Sequence, residues 1–242
     1  MTALGTRRQF VNELRRLERA IARAFLVDVR FVRRSVTLAA VQRALQRNNV
    51  GAINDLLLNR AAFSQVLEEL RTALLAGANQ VQKAVPQNAR TPDGARIAFR
   101  FDVRDPVVEE FLAATAATLV NDVVQQQREA IQFYLQRGLR LGQNPRQTAL
   151  DIVGRVNRVT GNRVGGIIGL NAQQARAVAA LKEALADPDT ATRYFRLQRR
   201  DRRFDSMVKR SRRLGRPLTA SQIERITSRY SDRLLQLRGE TI

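Results

Sequence analysis

Apolar residues recur at helical spacing along most of the chain. From about Thr6, Phe10, Leu14, Leu17, Ile21 and Phe25 fall three or four apart and form one stripe, with Arg15, Arg16, Arg19 and Arg23 between them. Ser35 reads as the cap of a second helix through Leu38, Val41 and Leu45. Asn48-Asn49 reads as a turn before a short helix over Ile53–Leu58. A further helix is predicted from about Ala62 to Ala84, with Phe63, Val66, Leu70, Leu74 and Val81 apolar.

Two prolines and a Pro-Asp-Gly turn mark Pro86 to Ala95 as a linker. Beyond it, Ile97 to Val103 alternates as one short strand or an extended arm would, and a lone strand needs a partner, here a hint of a homo-oligomer. Asp105-Pro106 is a strong helix start, and Gly138 a stop. The helix between them would span roughly 48 Å at 1.5 Å per residue, a candidate oligomer contact. Asn144-Pro145 opens the next helix, glycines at 161, 165, 166 and 169 predict a flexible turn, and Asn171 caps another helix. Thr219 and Gln222 have capping-box spacing ahead of the stripe Ile223, Ile226, Tyr230, Leu234 and Leu237. The pattern predicts an all-α, elongated multi-helix protein with one long central helix and at most one short strand or extended arm. Its expected segments are a bundle over 1–85, linker and arm over 86–104, a long-helix body over 105–192, and basic helices over 193–242.

Composition removes most chemistry. The 242 residues include no Cys and no His, which excludes Cys/His zinc sites, thiol nucleophiles and histidine-dependent triads. The glycine run lacks the Gly-Lys-Ser/Thr of a phosphate loop and follows no strand. Glu68-Glu69 and Glu109-Glu110 are adjacent pairs that point about 100° apart on a helix, and Asp187-Pro-Asp189 lacks a calcium-loop pattern. No enzyme, metal site or cofactor is expected. No apolar run reaches the roughly 18 residues of a membrane span, and the first residues lack a signal-peptide core.

Charge is what remains. The net charge is +20, and all but three of the 42 basic side chains are Arg. Residues 1–50 carry +8 and residues 193–242 carry +10, so the middle is nearly neutral. Between Arg193 and Arg216 the net is +9. Drawn as one helix, this stretch puts Leu197, Phe204 and Val208 on one face. Arg199, Arg202, Arg210 and Arg213 fall opposite, with Arg203 and Lys209 flanking; Phe195 breaks the pattern. A charge run is usually just a solvated face. The density and one-sidedness here point instead to phosphate contacts with a nucleic acid, and without a base-reading motif binding should ignore sequence. A basic amphipathic helix could also lie on an anionic membrane.

Several segments resemble the head-morphogenesis family of tailed phages, the minor head proteins related to the F protein of phage Mu. They are Arg100-Phe-Asp-Val-Arg-Asp-Pro106, Gln127-Arg-Glu-Ala-Ile131, Thr148-Ala-Leu-Asp-Ile-Val-Gly-Arg155, Gly165-Gly-Ile-Ile-Gly-Leu170, Arg202-Arg-Phe-Asp205, Tyr230-Ser-Asp-Arg-Leu234 and Leu237-Arg-Gly-Glu-Thr-Ile242. The resemblance covers about 96–242 and, less distinctly, the helical region before it, and this chain stops where the family usually continues into an Ala-Arg-Thr-Glu segment and a C-terminal domain. It implies a low-copy virion protein inside the phage head, in the host cytoplasm during assembly. Its expected partners are the portal protein, other head proteins and incoming DNA, and its role head assembly or genome ejection. An ejection factor acting at the host membrane is the alternative.

Overall fold

The computed structural model describes residues 3–58, 63–84, 90–95 and 105–241. The fold is all-α. The α-helices are α1 (Ala3–Ser35), α2 (Leu38–Gln46), α3 (Val50–Leu57), α4 (Ser64–Ala84), α5 (Pro106–Arg140), α6 (Pro145–Val153), α7 (Ala172–Ala186), α8 (Asp205–Arg213) and α9 (Ala220–Thr241). Short 3-10 turns cover Thr190–Arg196 and Arg202–Phe204. Among the described residues the sheet is one antiparallel pair, β1 (Arg155–Val156) with β2 (Arg163–Val164), in register Arg155↔Val164. The arm expected at Ile97–Val103 lies outside the described residues. No described helix is long and apolar enough to cross a membrane.

Most predicted caps form. Asp105 accepts from the Val107 amide at 2.9 Å, and Asn144 from Arg146 at 2.8 Å. Asn171 with Gln174, and Thr219 with Gln222, make reciprocal capping boxes. Within the linker, Thr91 and Gly94 close the Pro-Asp-Gly turn. Two boundaries differ from expectation. Ser35 ends α1 instead of starting α2: its hydroxyl donates back to the Val32 carbonyl, and Thr37 caps α2. Gly138 does not stop α5, which runs on to Arg140 and ends at Gly142, whose φ is +57°. Gly138 lies inside the helix because α6 crosses it, and a Cβ there would sit 2.6 Å from Thr148 Oγ1.

Three of the four expected segments, 1–85, 105–192 and 193–242, share one buried core: Phe25 of α1, Ile131 of α5 with Leu185 of α7, and Ile226 of α9 are in the same cluster. Through its middle runs the glycine segment, and here the expectation of a flexible turn is overturned. Gly165 is buried, and Ile167, Ile168, Gly169 and Leu170 are sealed inside. An irregular backbone can enter a core only if its polar groups find partners, since each one left unpaired costs about 1–3 kcal/mol. Three helices supply them. Arg33 of α1 donates to the Ile168 carbonyl at 2.9 Å, and Gln127 of α5 donates to the Ile167 carbonyl and accepts from the Gly169 amide. From α9, Ser231 donates to the Gly166 carbonyl, Asp232 accepts from the Gly165 amide, and Arg238 donates to the Gly169 carbonyl. The glycines are required because Gly165 and Gly166 have φ of +68° and +72° with neighbouring atoms already in contact.

Candidate nucleic-acid interface

The basic stretch is not one helix. It folds as a 3-10 turn (190–196), an irregular corner, a second 3-10 turn (202–204) and then α8. Asp201 makes the corner. Its carboxylate accepts from the Arg203 amide at 3.2 Å and from the Arg203 guanidinium at 2.7 Å, and Arg233 of α9 lies 3.4 Å away. The Tyr194 hydroxyl, inside the core, donates to the Asp201 carbonyl. The Arg203 hydrogen bonds pull the Asp201 pKa down to about 2, so the carboxylate is charged at any ordinary pH.

This break explains Phe195, the residue that did not suit a continuous helix. It belongs to the first 3-10 turn, packs partly buried against the core edge-on to Tyr194, and carries the Arg200 guanidinium over its ring. Arg200 is also spent on Asp205, at 3.2 Å. Phe204 and Val208 face inward as the pattern requires, and Leu197 is partly buried against the core.

All six expected contact residues are exposed. On α8, Lys209, Arg210 and Arg213 share an outward arc of roughly 100°, opposite the buried Val208 and Ser211. Arg202 precedes them in the second 3-10 turn, and Arg199 sits on the corner. None of these five has a carboxylate partner among the described residues. Arg203 differs: it is held against Asp201 by three hydrogen bonds, although its side chain stays 68% exposed. It is part of the scaffold first. The turn after α8 is fixed by the Ser211 hydroxyl donating to the Arg216 carbonyl at 2.6 Å.

Comparison of the chain with protein-family models, with curated proteins and with solved structures finds no match in any of the three. The reading therefore rests on geometry and on the sequence resemblance. Among the described residues no group of three or more carboxylates could hold a metal ion. Buried carboxylates have structural work: Asp28 of α1 accepts from the Val66 amide and so caps α4, and Asp151 accepts from Gln143, Gln147 and Lys182. Glu109 pairs with Arg71, and Asp187 accepts from the Asp189 amide within its own turn.

Two cations were missed. Arg225 and Arg229, one turn apart, are exposed on α9 opposite its buried stripe. Their spacing against Ile223, Ile226 and Tyr230 is the signal in the sequence, weaker than the charge density of 193–216.

Proposed function

We propose that this chain is a minor structural protein of a tailed-phage virion, placed inside the head at the portal. There it binds double-stranded DNA without sequence preference and assists head assembly or genome ejection. The observation that carries the DNA reading is the set of five exposed cations at Arg199, Arg202, Lys209, Arg210 and Arg213, none with a carboxylate partner among the described residues. Cationic side chains with no internal carboxylate keep their donors for an outside anion. The virion placement is supported by the resembling segments alone. The exposed Val107 and Phe111 at the start of α5 suit a contact with the portal or a second copy.

Binding of this kind releases counterions. Five phosphate contacts predict that log affinity falls with log salt at a slope of about −4.5. Replacing Arg202, Lys209, Arg210 and Arg213 by Glu should abolish DNA retention in a gel shift while circular dichroism stays unchanged. Retention equal to the parent protein, or a slope near zero, would end the DNA reading.

One observation favours the second reading, action at the host membrane. In the α1 stripe Leu17 and Phe25 are buried and Ile21 partly so, but Phe10, Val11 and Leu14 are exposed, and Arg8, Arg15 and Arg19 sit around the other side. α8 cannot serve this purpose, because its apolar side is already inside the protein. Flotation with anionic liposomes separates the readings.

A further inference from the structure

A cavity of about 500 Å³ lies where β1 and β2, the 202–204 turn and α9 meet. Arg155, Arg203, Arg225 and Arg229 line it together with the apolar wall of Val164, Phe204 and Met207, and with Glu224 and Asp232. The charges there are unevenly used. Asp232 is taken up by the Gly165 amide at 3.0 Å and by Arg33 at 3.5 Å, and Arg203 by Asp201. Glu224 accepts from Ser228 and lies 4.0 Å from Lys182. Its other near cation is Arg155, whose Nε is 3.2 Å from a Glu224 oxygen. The buried Nε is held there by the ion pair and makes no hydrogen bond. Arg225 and Arg229 have no carboxylate at all among the described residues, and the Arg225 guanidinium lies 5.9 Å from the Phe204 ring centre.

A site with an apolar wall and, on one edge, two guanidinium groups that have no carboxylate partner among the described residues suits an anion attached to a flat apolar body. Arg pairs hold phosphate, and unpaired bases stack on aromatic rings and guanidinium planes. The volume lies within the range of small-molecule pockets. We infer that this cavity takes a single nucleotide, its phosphate on Arg225 and Arg229 and its base against Phe204, Met207 and Val164. The inference rests on the reading of the neighbouring α8 surface as a DNA contact, to which Arg203 and Met207 join it directly. A strand end or an unpaired nucleotide of DNA lying on α8 would reach the cavity; so would a free nucleotide, and the chemistry of the site is the same for both.

The test compares a blunt duplex, the same duplex with a three-nucleotide single-stranded tail, and free deoxyadenosine monophosphate. The readouts are fluorescence anisotropy for the two labelled duplexes and methyl NMR of Met207 and Val164 for all three ligands. The tailed duplex should bind at least tenfold tighter than the blunt one and shift both methyl signals. Arg225→Gln/Arg229→Gln should remove the preference and the shifts, with blunt binding reduced far less. If the free nucleotide shifts those methyls and a tail adds nothing, the site is upheld with the free nucleotide as its source. If neither shifts them while blunt duplex still binds, the cavity inference is wrong and the α8 reading stands. If no duplex binds and the free nucleotide leaves both methyls unmoved, both readings are overturned.

Discussion

Two groups of arginines in this protein look alike in sequence and do opposite things. Around the glycine segment, Arg33 and Arg238 are almost fully buried and point their donors at backbone carbonyls. Around α8, Arg202, Arg210 and Arg213 are exposed and have no internal carboxylate among the described residues. The first group holds the fold together; the second is available to a partner. A net charge of +20 therefore overstates what a polyanion meets, and the difference between the groups is one of desolvation. Burial pulls the Arg238 pKa down to about 10, which still leaves it charged at neutral pH, whereas an exposed arginine keeps its hydration until a phosphate replaces it.

The buried side of this contrast should break most completely at Gly166. A Cβ there would stand 2.5 Å from the Gly154 amide nitrogen and 2.7 Å from the Ile152 carbonyl oxygen, both backbone atoms that cannot swing aside. A non-glycine residue at φ +72° adds about 1 kcal/mol of its own. Gly166→Ala should thus cost about 4 kcal/mol, read as a large drop in the urea midpoint. A midpoint within experimental error of the parent would mean that the segment is looser than its burial indicates.

Arg238→Met comes next. Methionine fills a similar volume but abandons the Gly169 carbonyl at 3.2 Å and Gln126 at 3.1 Å, and it removes the cation over the Phe25 ring. The expected loss is about 3 kcal/mol. DNA affinity measured well below the melting temperature should retain its salt slope, because this charge never meets solvent phosphate. A shallower slope in Arg238→Met would erase the division between the two groups of arginines.

How far the sequence reveals this division depends on the kind of signal. Helix starts at Asp105, Asn144, Asn171 and Thr219 were legible because a cap is a local matter of one side chain and amides two or three residues on. The stop at Gly142, not Gly138, was not, since it depends on α6 crossing α5 at Thr148. The glycine segment was misread for a related reason. Its partners Arg33, Gln127 and Arg238 are distant in sequence, so glycines that mark a buried crossing look like glycines that mark a loose loop. In the basic stretch, exposure of the six residues was legible from charge density. The corner at Asp201 was not, because Arg233 and Tyr194 complete it from elsewhere. Arg203 was consequently placed among free cations when its first partner is internal.

That corner falls between the two classes, and pH can grade it. The Asp201 carboxylate is itself nearly sealed, yet its main partner Arg203 is mostly exposed. Its folded pKa is about 2 against an ordinary value of 3.8, so the native state binds the proton less readily than the unfolded chain. The stabilisation is therefore complete above pH 3.8 and is lost as the pH falls through 2. Asp201→Asn keeps an acceptor for the Arg203 amide but drops the charge. Solvent screening around Arg203 limits the expected cost to about 1 kcal/mol at pH 7. Urea midpoints of the two proteins should converge between roughly pH 4 and pH 2, while acid effects at other carboxylates, such as the Asp28 cap that burial pushes the opposite way, cancel in the difference. A gap that persists undiminished at pH 2 would assign the corner to cap geometry alone and return Arg203 to the cations free to meet DNA.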